Sequence, residues 1–170
     1  MKITKLINES RKRILREAIR KDVNRITPKK ILDDGAGIRG SFDYGRFKNI
    51  LTRADISTGI NCENLPFKDS SFDLVIFAGV IQYVKNPNRA MSEAIRVIKP
   101  RGKLIISTIN INSIVKKLTG WKEELRAWSP EEFENFVKSF NLKIIKKELI
   151  DFKLIPKKRR MIIYLVCEKA

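Results

Sequence analysis

Short apolar runs alternate with helical patterns from Pro28 onward, and this alternation constrains the fold more than any other feature. Residues 72–78 and 103–108 are rich in β-branched and aliphatic side chains, whereas residues 90–98 place apolar side chains at helical spacing. Strands that alternate with helices form sheets with helices on their faces. The pattern therefore predicts an α/β fold, with the nearly all-apolar strand at 72–78 buried on both faces.

Two connections between the remaining predicted elements are short. Strands are predicted at 30–32, 49–54, 142–149 and 161–166, and helices open at Asn86-Pro87 and at the capping box that begins with Ser129. Only about ten residues join the first two strands, near the minimum for a crossover helix. Residues 56–60 leave no room for a helix, so any strand at 60–62 is expected to be a stub. We expect a single domain over 1–170, with its sheet in 28–170.

The N-terminal segment 1–27 is predicted to be a basic amphipathic helix. Residues 1–30 hold eleven basic and three acidic residues, in a chain of net charge +17. A docking helix with a solvated basic face explains this pattern, and so does a helix that lies on nucleic acid or an anionic membrane. Residues 157–160 are a second basic cluster that could contact nucleic acid. A lysine- and arginine-rich proteome would also account for the charge.

The chain lacks histidine, which excludes histidine-based catalytic triads and histidine metal clusters. Its two cysteines, Cys62 and Cys167, are too few for a disulfide framework and predict a cytoplasmic location. No apolar run approaches the roughly 20 residues of a membrane-spanning helix. We therefore expect no metal site and no transmembrane segment.

Glycines follow the first predicted strand in the pattern G-x-G-x-x-G, at Gly35, Gly37 and Gly40, and Asp55 ends the second. Glycines let the backbone approach a ligand closely, and a carboxylate at the neighbouring strand end can accept hydrogen bonds from ribose hydroxyls. These residues predict a site for a nucleotide-like ligand. A nicotinamide dinucleotide is one such ligand, but it needs a full helix after the glycines, and residues 41–47 are a poor candidate for one.

Several linked motifs resemble class I S-adenosylmethionine-dependent methyltransferases of the methyltransferase type 11-like group. The resemblance rests on four blocks spread over roughly residues 28 to 145, namely 31–37, 61–76, 93–104 and 128–133. It implies a Rossmann-like, doubly wound, mostly parallel sheet with an antiparallel last strand, shortened at the edge formed by strands two and three. It also implies that the chain transfers a methyl group from S-adenosylmethionine by direct in-line displacement.

The resemblance assigns cofactor roles to ten positions. Asp33 would orient the ammonium group beside Gly35, Ala36 and Gly37; Asp55 would bind the ribose; Ile56, Asn61 and Cys62 would contact the adenine; and Ala78 and Gly79 would line the methyl-transfer face. Two positions depart from the family pattern. Arg39 stands where the loop usually has its third glycine, and Asn61 replaces an aspartate, so its bond to the adenine amino group lacks charge assistance.

No catalytic base can be assigned from the sequence. Glu123, Glu124 and Tyr83 are candidates, and Trp121 or Trp128 could face the substrate. The acceptor could be a small molecule, RNA, a glycan or a protein side chain. Two other functions remain open: a non-catalytic basic adaptor or nucleic-acid-binding protein on a degenerate methyltransferase fold, and a nicotinamide-dependent oxidoreductase.

Overall fold

A computed structural model of the protein describes residues 2–37, 40–119 and 126–170. Arg39, Trp121, Glu123 and Glu124 therefore lie outside the described residues. The helices are α1 (Lys2–Ile26), α2 (Pro87–Val97), α3 (Ile114–Thr119) and α4 (Pro130–Lys138). The strands are β1 (Ile31–Asp34), β2 (Leu51–Ala54), β3 (Phe72–Ala78), β4 (Ile98–Ile109), β5 (Leu142–Ile150) and β6 (Ile162–Lys169).

The strands form one sheet in the order β2-β1-β3-β4-β6-β5. Strands β2, β1, β3 and β4 are parallel, and β6 runs antiparallel to both β4 and β5. Within the described residues no strand pairs with the outer side of β2, and a 3-10 turn at Gly45–Ile50 stands where a crossover helix would be. The predicted α/β class, the antiparallel last strand and the shortened edge are confirmed.

Helices cover both faces of the sheet. On β3, Val75 and Phe77 point into the cluster under α2 and α4, while Leu74 and Ile76 point into the cluster under α1. All four side chains are fully buried. Alternate residues of a strand face opposite sides, so a continuous apolar run is what a strand between two helical layers requires.

Two helices begin with the capping groups predicted from the sequence. The Asn86 side chain accepts a hydrogen bond from the Arg89 N–H at 3.1 Å, and Pro87 is the first helical residue of α2. At α4, Ser129 and Glu132 exchange side-chain-to-backbone bonds of 3.2 and 2.8 Å. These bonds satisfy backbone donors that a helix start would otherwise leave unpaired.

Helix α1 runs through the basic N-terminal segment, and buried polar contacts join it to β5 and β6. The Asp22 carboxylate accepts hydrogen bonds from the Tyr164 hydroxyl at 2.8 Å and from Lys146 Nζ at 2.7 Å. Ile19 and Val23, two apolar residues of the same helix, are fully buried. Helix α1 is thus one of the layers that form the core, and its N-terminal half reaches the carboxyl ends of the parallel strands. Within the described residues, no helix is both long and apolar enough to cross a membrane.

Candidate active site

The turn after β1 depends on glycine backbone geometry. Gly35 has a φ of +77°, and a Cβ placed there would lie 2.1 Å from Cγ2 of Val80. Gly37 has a φ of +56°, with open space where its Cβ would stand. Positive φ is readily accessible to glycine, and the missing side chain at Gly37 leaves backbone exposed to an approaching ligand.

Asp55 faces this glycine turn from the end of β2. Its Oδ2 accepts a hydrogen bond from the Gly37 N–H at 2.9 Å. Its Oδ1 accepts bonds from the backbone N–H and the hydroxyl of Ser57, at 2.9 and 2.6 Å. The bonds from Ser57 are the main reason that the pKa of Asp55 lies below its usual value. A carboxylate offers about four acceptor positions, so Oδ2 retains capacity for a further donor.

Asp33 has a different set of partners. Its carboxylate accepts hydrogen bonds from the backbone N–H of Ser41 at 2.9 Å, from the Ser41 hydroxyl at 2.5 Å and from the Tyr44 hydroxyl. Burial nevertheless raises the pKa of Asp33 above its ordinary value. Asp33 therefore ties the chain that leaves the glycine turn to the end of β1, and its predicted contact with the cofactor ammonium stays a prediction.

A cavity of about 440 Å³ opens at the carboxyl ends of β1, β3 and β4. It brings together four of the ten residues predicted to contact the cofactor: Gly35 and Ala36 from the glycine turn, and Ala78 and Gly79 from the end of β3. Its opposite wall consists of residues from α1 and from the β4 and β6 ends, including Arg11, Arg16 and Met161. The volume lies in the range of small-molecule sites, which run from about 300 to 1,000 Å³.

The predicted adenine contacts lie outside this cavity, along the chain after β2. The Ile56 side chain is 75% exposed. The amide oxygen of Asn61 accepts a hydrogen bond from the Glu63 N–H at 2.9 Å, so this acceptor is already engaged. Cys62 is half-buried, and burial together with the charges of Asp34 and Glu63 raises the pKa of its thiol to about 12. We call these three residues and Asp55, at the edge of the sheet, the shelf. Ile56 and Asn61 are exposed, whereas Asp55 and Cys62 are half-buried.

The sequence predictions missed several polar residues at the site. Gln82 is buried, donates to the Gly79 carbonyl oxygen at 3.0 Å and contacts Thr108. Ser107 lines the cavity, and its buried hydroxyl has no hydrogen-bond partner within the described residues. Arg11 and Arg16 come from α1, and nothing in the local sequence places that helix against the sheet. Only the topology brings them to the cavity.

Asp34 is a further missed residue, although a signal for it existed. Two consecutive acids at the end of a strand must point to opposite faces, so one of them has to enter the layer under α2. Asp34 is 1% exposed, and its Oδ2 has no hydrogen-bond partner within the described residues. Burial, followed by the nearby charges of Asp33 and Asp55, raises its pKa from 3.8 to about 7.

The structure describes two of the aromatic residues considered for the substrate side, Tyr83 and Trp128. The Tyr83 side chain is 41% exposed and lines the cavity. Trp128 is buried instead, and its ring packs 5.4 Å from that of Phe133 in the core. Trp128 is therefore a packing residue. Trp121, the other tryptophan considered for the substrate side, lies outside the described residues.

Comparison with known proteins identifies the family. Residues 48–106 match the family profile described as "Methyltransferase domain". The chain is 31% identical over 153 residues to an uncharacterized protein of Methanocaldococcus jannaschii, covering 76% of this chain and 75% of that one. It is 49% identical over 65 residues to a ubiquinone/menaquinone biosynthesis C-methyltransferase of Rickettsia prowazekii, covering 38% of this chain but only 24% of that enzyme.

The fold comparison agrees. A SAM-dependent methyltransferase from Aquifex aeolicus superposes with a TM-score of 0.65 at 14% identity, covering 99% of this chain and 97% of that one. The fold and site define a class I S-adenosylmethionine-dependent methyltransferase. The chain belongs to that family, and within it to the group defined by the methyltransferase domain profile. Methyl transfer from S-adenosylmethionine is the activity of this family.

The residues present fit this cosubstrate. Gly37 has no side chain to block a ligand, although its N–H is bonded to Asp55 and its carbonyl oxygen to Arg53. Asp55 keeps an acceptor position beside it. The nicotinamide alternative needs a helix directly after the glycine turn. Residues 41–44 are not helical, and only a 3-10 turn follows, so that alternative lacks its required element.

Proposed function

We propose that the protein methylates a small-molecule acceptor that lies in the cavity between the glycine turn and the inner face of α1. The observation that carries this proposal is the cavity itself. It connects Gly35 and Ala36, on the side expected for the cofactor, with Ile109 and Met161 at the ends of β4 and β6. An acceptor bound on that second side would approach the methyl group past Ala78, which has only a methyl side chain, and Gly79, which has none, so the path is open.

We further propose that the ten residues singled out in the sequence hold the cofactor. The backbone of Gly35, Ala36 and Gly37 would face the methionine portion, and Asp55 would accept hydrogen bonds from the ribose hydroxyls. Ile56, which is mostly exposed in the free protein, would be covered by the adenine ring. Asn61 and Cys62 would meet the edge of that ring. When bound, S-adenosylmethionine supplies a methyl group already activated on a sulfonium.

The chain's own contribution is then mainly to position the acceptor. Among the described residues that line the cavity, none is an aspartate or glutamate. The ionisable side chains there are Tyr83, Lys12 and two arginines. Holding a nucleophile in line with the methyl group can lower the barrier by about 7–11 kcal/mol without a base. We infer that the acceptor atom attacks without a carboxylate base from these lining residues.

Calorimetric titration tests the proposal against its rivals. We expect S-adenosylhomocysteine to bind the full chain and NAD not to bind. Binding of NAD alone would support an oxidoreductase, and binding of neither would support a non-catalytic adaptor. A screen of radiolabelled methyl transfer over fractions of small metabolites then identifies the acceptor. Transfer only to RNA, glycan or protein fractions would contradict the small-molecule assignment.

A contact with nucleic acid is a second proposal, carried by a separate surface. A groove is lined by Lys21 of α1 together with Lys153, Lys157 and Arg160, so the two basic segments 1–30 and 157–160 meet there. The acidic residues Glu17, Glu148 and Asp151 also line it. Phosphate contacts of this kind weaken steeply with salt. We expect a gel shift that disappears between low and moderate salt and is reduced by the double substitution Lys157→Ala, Lys158→Ala. Substituting exposed Lys68 and Lys138 to Ala is the charge-matched control, and equal loss in both variants would contradict this surface.

We also propose a cytoplasmic location. Cys62 and Cys167 are both free thiols, and Cys167 is buried. Free thiols are stable in a reducing compartment. Cell fractionation tests the location, and recovery of the protein outside the cytoplasmic fraction would contradict it.

A further inference from the structure

Arg11 is a buried cation that the fold holds in one position. Arg11 is 4% exposed, and its Nε donates a hydrogen bond to Oδ1 of Asp151 at 2.7 Å. Asp151 is fixed in turn by the backbone N–H groups of Phe152 at 2.9 Å and Met161 at 3.0 Å. The guanidinium also lies 5.2 Å from the centre of the Phe152 ring. These contacts orient the side chain before any ligand arrives.

One part of this guanidinium is unused. Nη1 of Arg11 is buried and has no hydrogen-bond partner among the described residues. Arg11 lines the cavity together with Lys12 and Arg16. Buried donors in folded proteins are nearly always paired, and an unpaired one on a charged group calls for an explanation. An acid group that reaches this guanidinium from the cavity would supply a further acceptor there. It would also add to the existing pairs of Arg11 with Asp151 and of Lys12 with Glu9, next to Arg16.

The position of Arg11 favours the acceptor as the molecule that carries that acid group. Asp151 and Met161 hold it at the ends of β5 and β6, on the β4 side of the cavity. The shelf with Asp55 and Ile56 lies at the end of β2, on the opposite side of β1 and β3. A ligand that meets Arg11 therefore lies on the side away from the proposed ribose and adenine contacts.

We propose that Arg11, with Lys12 and Arg16 beside it, binds a carboxylate or phosphate group of the methyl acceptor, so that the acceptor is an anionic small molecule. This inference rests on the proposed function for its assignment to an acceptor. The arginine fork suits both acid groups, because two of its N–H donors can face one carboxylate or phosphate. The anion would anchor one end of the acceptor and leave the other end near Ala78 and Gly79.

The test follows the Nε–Hε resonance of Arg11 by nuclear magnetic resonance, assigned by its loss in Arg11→Lys. Inorganic phosphate and benzoate are titrated separately at constant ionic strength, with and without saturating S-adenosylhomocysteine. We expect at least one anion to cause a saturable shift in both conditions. Comparison of the two probes distinguishes a phosphate from a carboxylate site. In the Arg11→Gln variant, the same titration is followed on the backbone amide resonances of residues that line the cavity, such as Gly79. Anion binding should be weakened about tenfold or more, because the charge-assisted bond is lost.

The matched control is Arg101→Gln, which removes the same charge from an exposed position near the other end of β4. It should leave the anion titration unchanged. Arg11→Gln leaves the buried Asp151 without its partner. The double variant Arg11→Gln, Asp151→Asn therefore repeats the anion titration on the cavity amide resonances without that carboxylate. The titration of the Arg11 resonance in the wild-type protein does not depend on the stability of any variant. Absence of a saturable Arg11 shift with both anions would overturn the proposal.

Two further outcomes separate this inference from the proposed function. If S-adenosylhomocysteine alone shifts the Arg11 resonance and blocks both anions, Arg11 binds the carboxylate of the cofactor and the proposal is wrong. If S-adenosylhomocysteine does not bind while an anion still does, the proposed function fails. The anion site would then stand, but its assignment to a methyl acceptor would be overturned.

Discussion

Asp55 and Asp34 lie on neighbouring strands, and their surroundings differ sharply. The carboxylate of Asp55 receives three hydrogen bonds and remains partly exposed at the shelf. That of Asp34 is buried with one oxygen unpaired. Hydrogen bonds stabilise the charged form of an acid, whereas burial destabilises it. The same residue type is thus favoured in its charged form at one strand end, where the ribose contact is proposed, and disfavoured in that form at the next.

Replacing Asp55 tests its proposed role toward the ribose. We expect Asp55→Ala to weaken S-adenosylhomocysteine binding by about 1–3 kcal/mol, the usual range for a lost hydrogen bond to a charged group. Calorimetric titration measures the change. Asp69→Ala, which removes a carboxylate that is 77% exposed before β3, is the control. Unchanged affinity in folded Asp55→Ala would contradict the ribose contact.

Asp34 should make stability depend on pH. Its pKa in the folded chain, about 7, is higher than the ordinary 3.8, so the folded state holds this proton more tightly than the unfolded state. Stability is therefore lost as pH rises from about 4 to about 7, and the loss persists above that range. We expect Asp34→Asn to raise the free energy of unfolding by about 1–3 kcal/mol at about pH 8 and by little at about pH 4.

Urea denaturation at the two pH values measures the effect of Asp34→Asn. Exposed Asp43→Asn provides the matched control and should show no such difference between them. A gain that is equal at both pH values would show that Asp34 does not titrate in this range.

At the scale of elements, α1 is the helix whose placement decides most about the site. Its apolar side chains pack in a cluster with β1, β3, β4 and β6, and Asp22 ties it to β5 and β6. This position brings Arg11 and Arg16 to the cavity. The sequence predicted its amphipathic character from helical spacing. It did not predict which strands the helix covers, because that contact joins residues more than a hundred positions apart, such as Asp22 and Tyr164.

The bond between Tyr164 and Asp22 should contribute measurably to this docking. The Tyr164 hydroxyl is buried and donates to Asp22 at 2.8 Å. We expect Tyr164→Phe to lower the free energy of unfolding by about 1.5–3 kcal/mol, because the acceptor is a charged group. Chemical denaturation measures the loss. In an Asp22→Asn background the same substitution should cost less, and an equal cost in both backgrounds would show that the two groups are not coupled.

At the scale of the whole molecule, cofactor binding and folding should be linked. The proposed cofactor site joins the ends of β1, β2 and β3, which are far apart in the sequence and come together only in the folded chain. A ligand that binds only the folded state stabilises it by mass action. At 100 times its dissociation constant, S-adenosylhomocysteine should raise the free energy of unfolding by about 2.7 kcal/mol. Denaturation with NAD at the same concentration is the control, and equal stabilisation by both would contradict the selectivity proposed for the site.

The α/β class, the caps at Asn86 and Ser129 and the short edge at β2 followed from the sequence, because each depends on neighbouring residues. Spacing of apolar residues, capping side chains and connection lengths are local properties of a chain. The glycine turn and Asp55 were likewise predictable as a pair, since each ends or follows a predicted strand. The sequence also contained a local signal that was not used, namely the two consecutive acids at 33–34, one of which had to be buried.

The tertiary structure alone decided what surrounds these residues. It turned Asp33 toward Ser41 and Tyr44, buried Asp34, placed Tyr83 on the cavity and brought Arg11 against Asp151. Each of these outcomes depends on how layers pack, and side chains that meet across layers are not neighbours in the chain. Secondary structure can be derived from the sequence one element at a time. The charge and shape of the cavity arise only when β5 and β6 join the sheet and α1 packs across it.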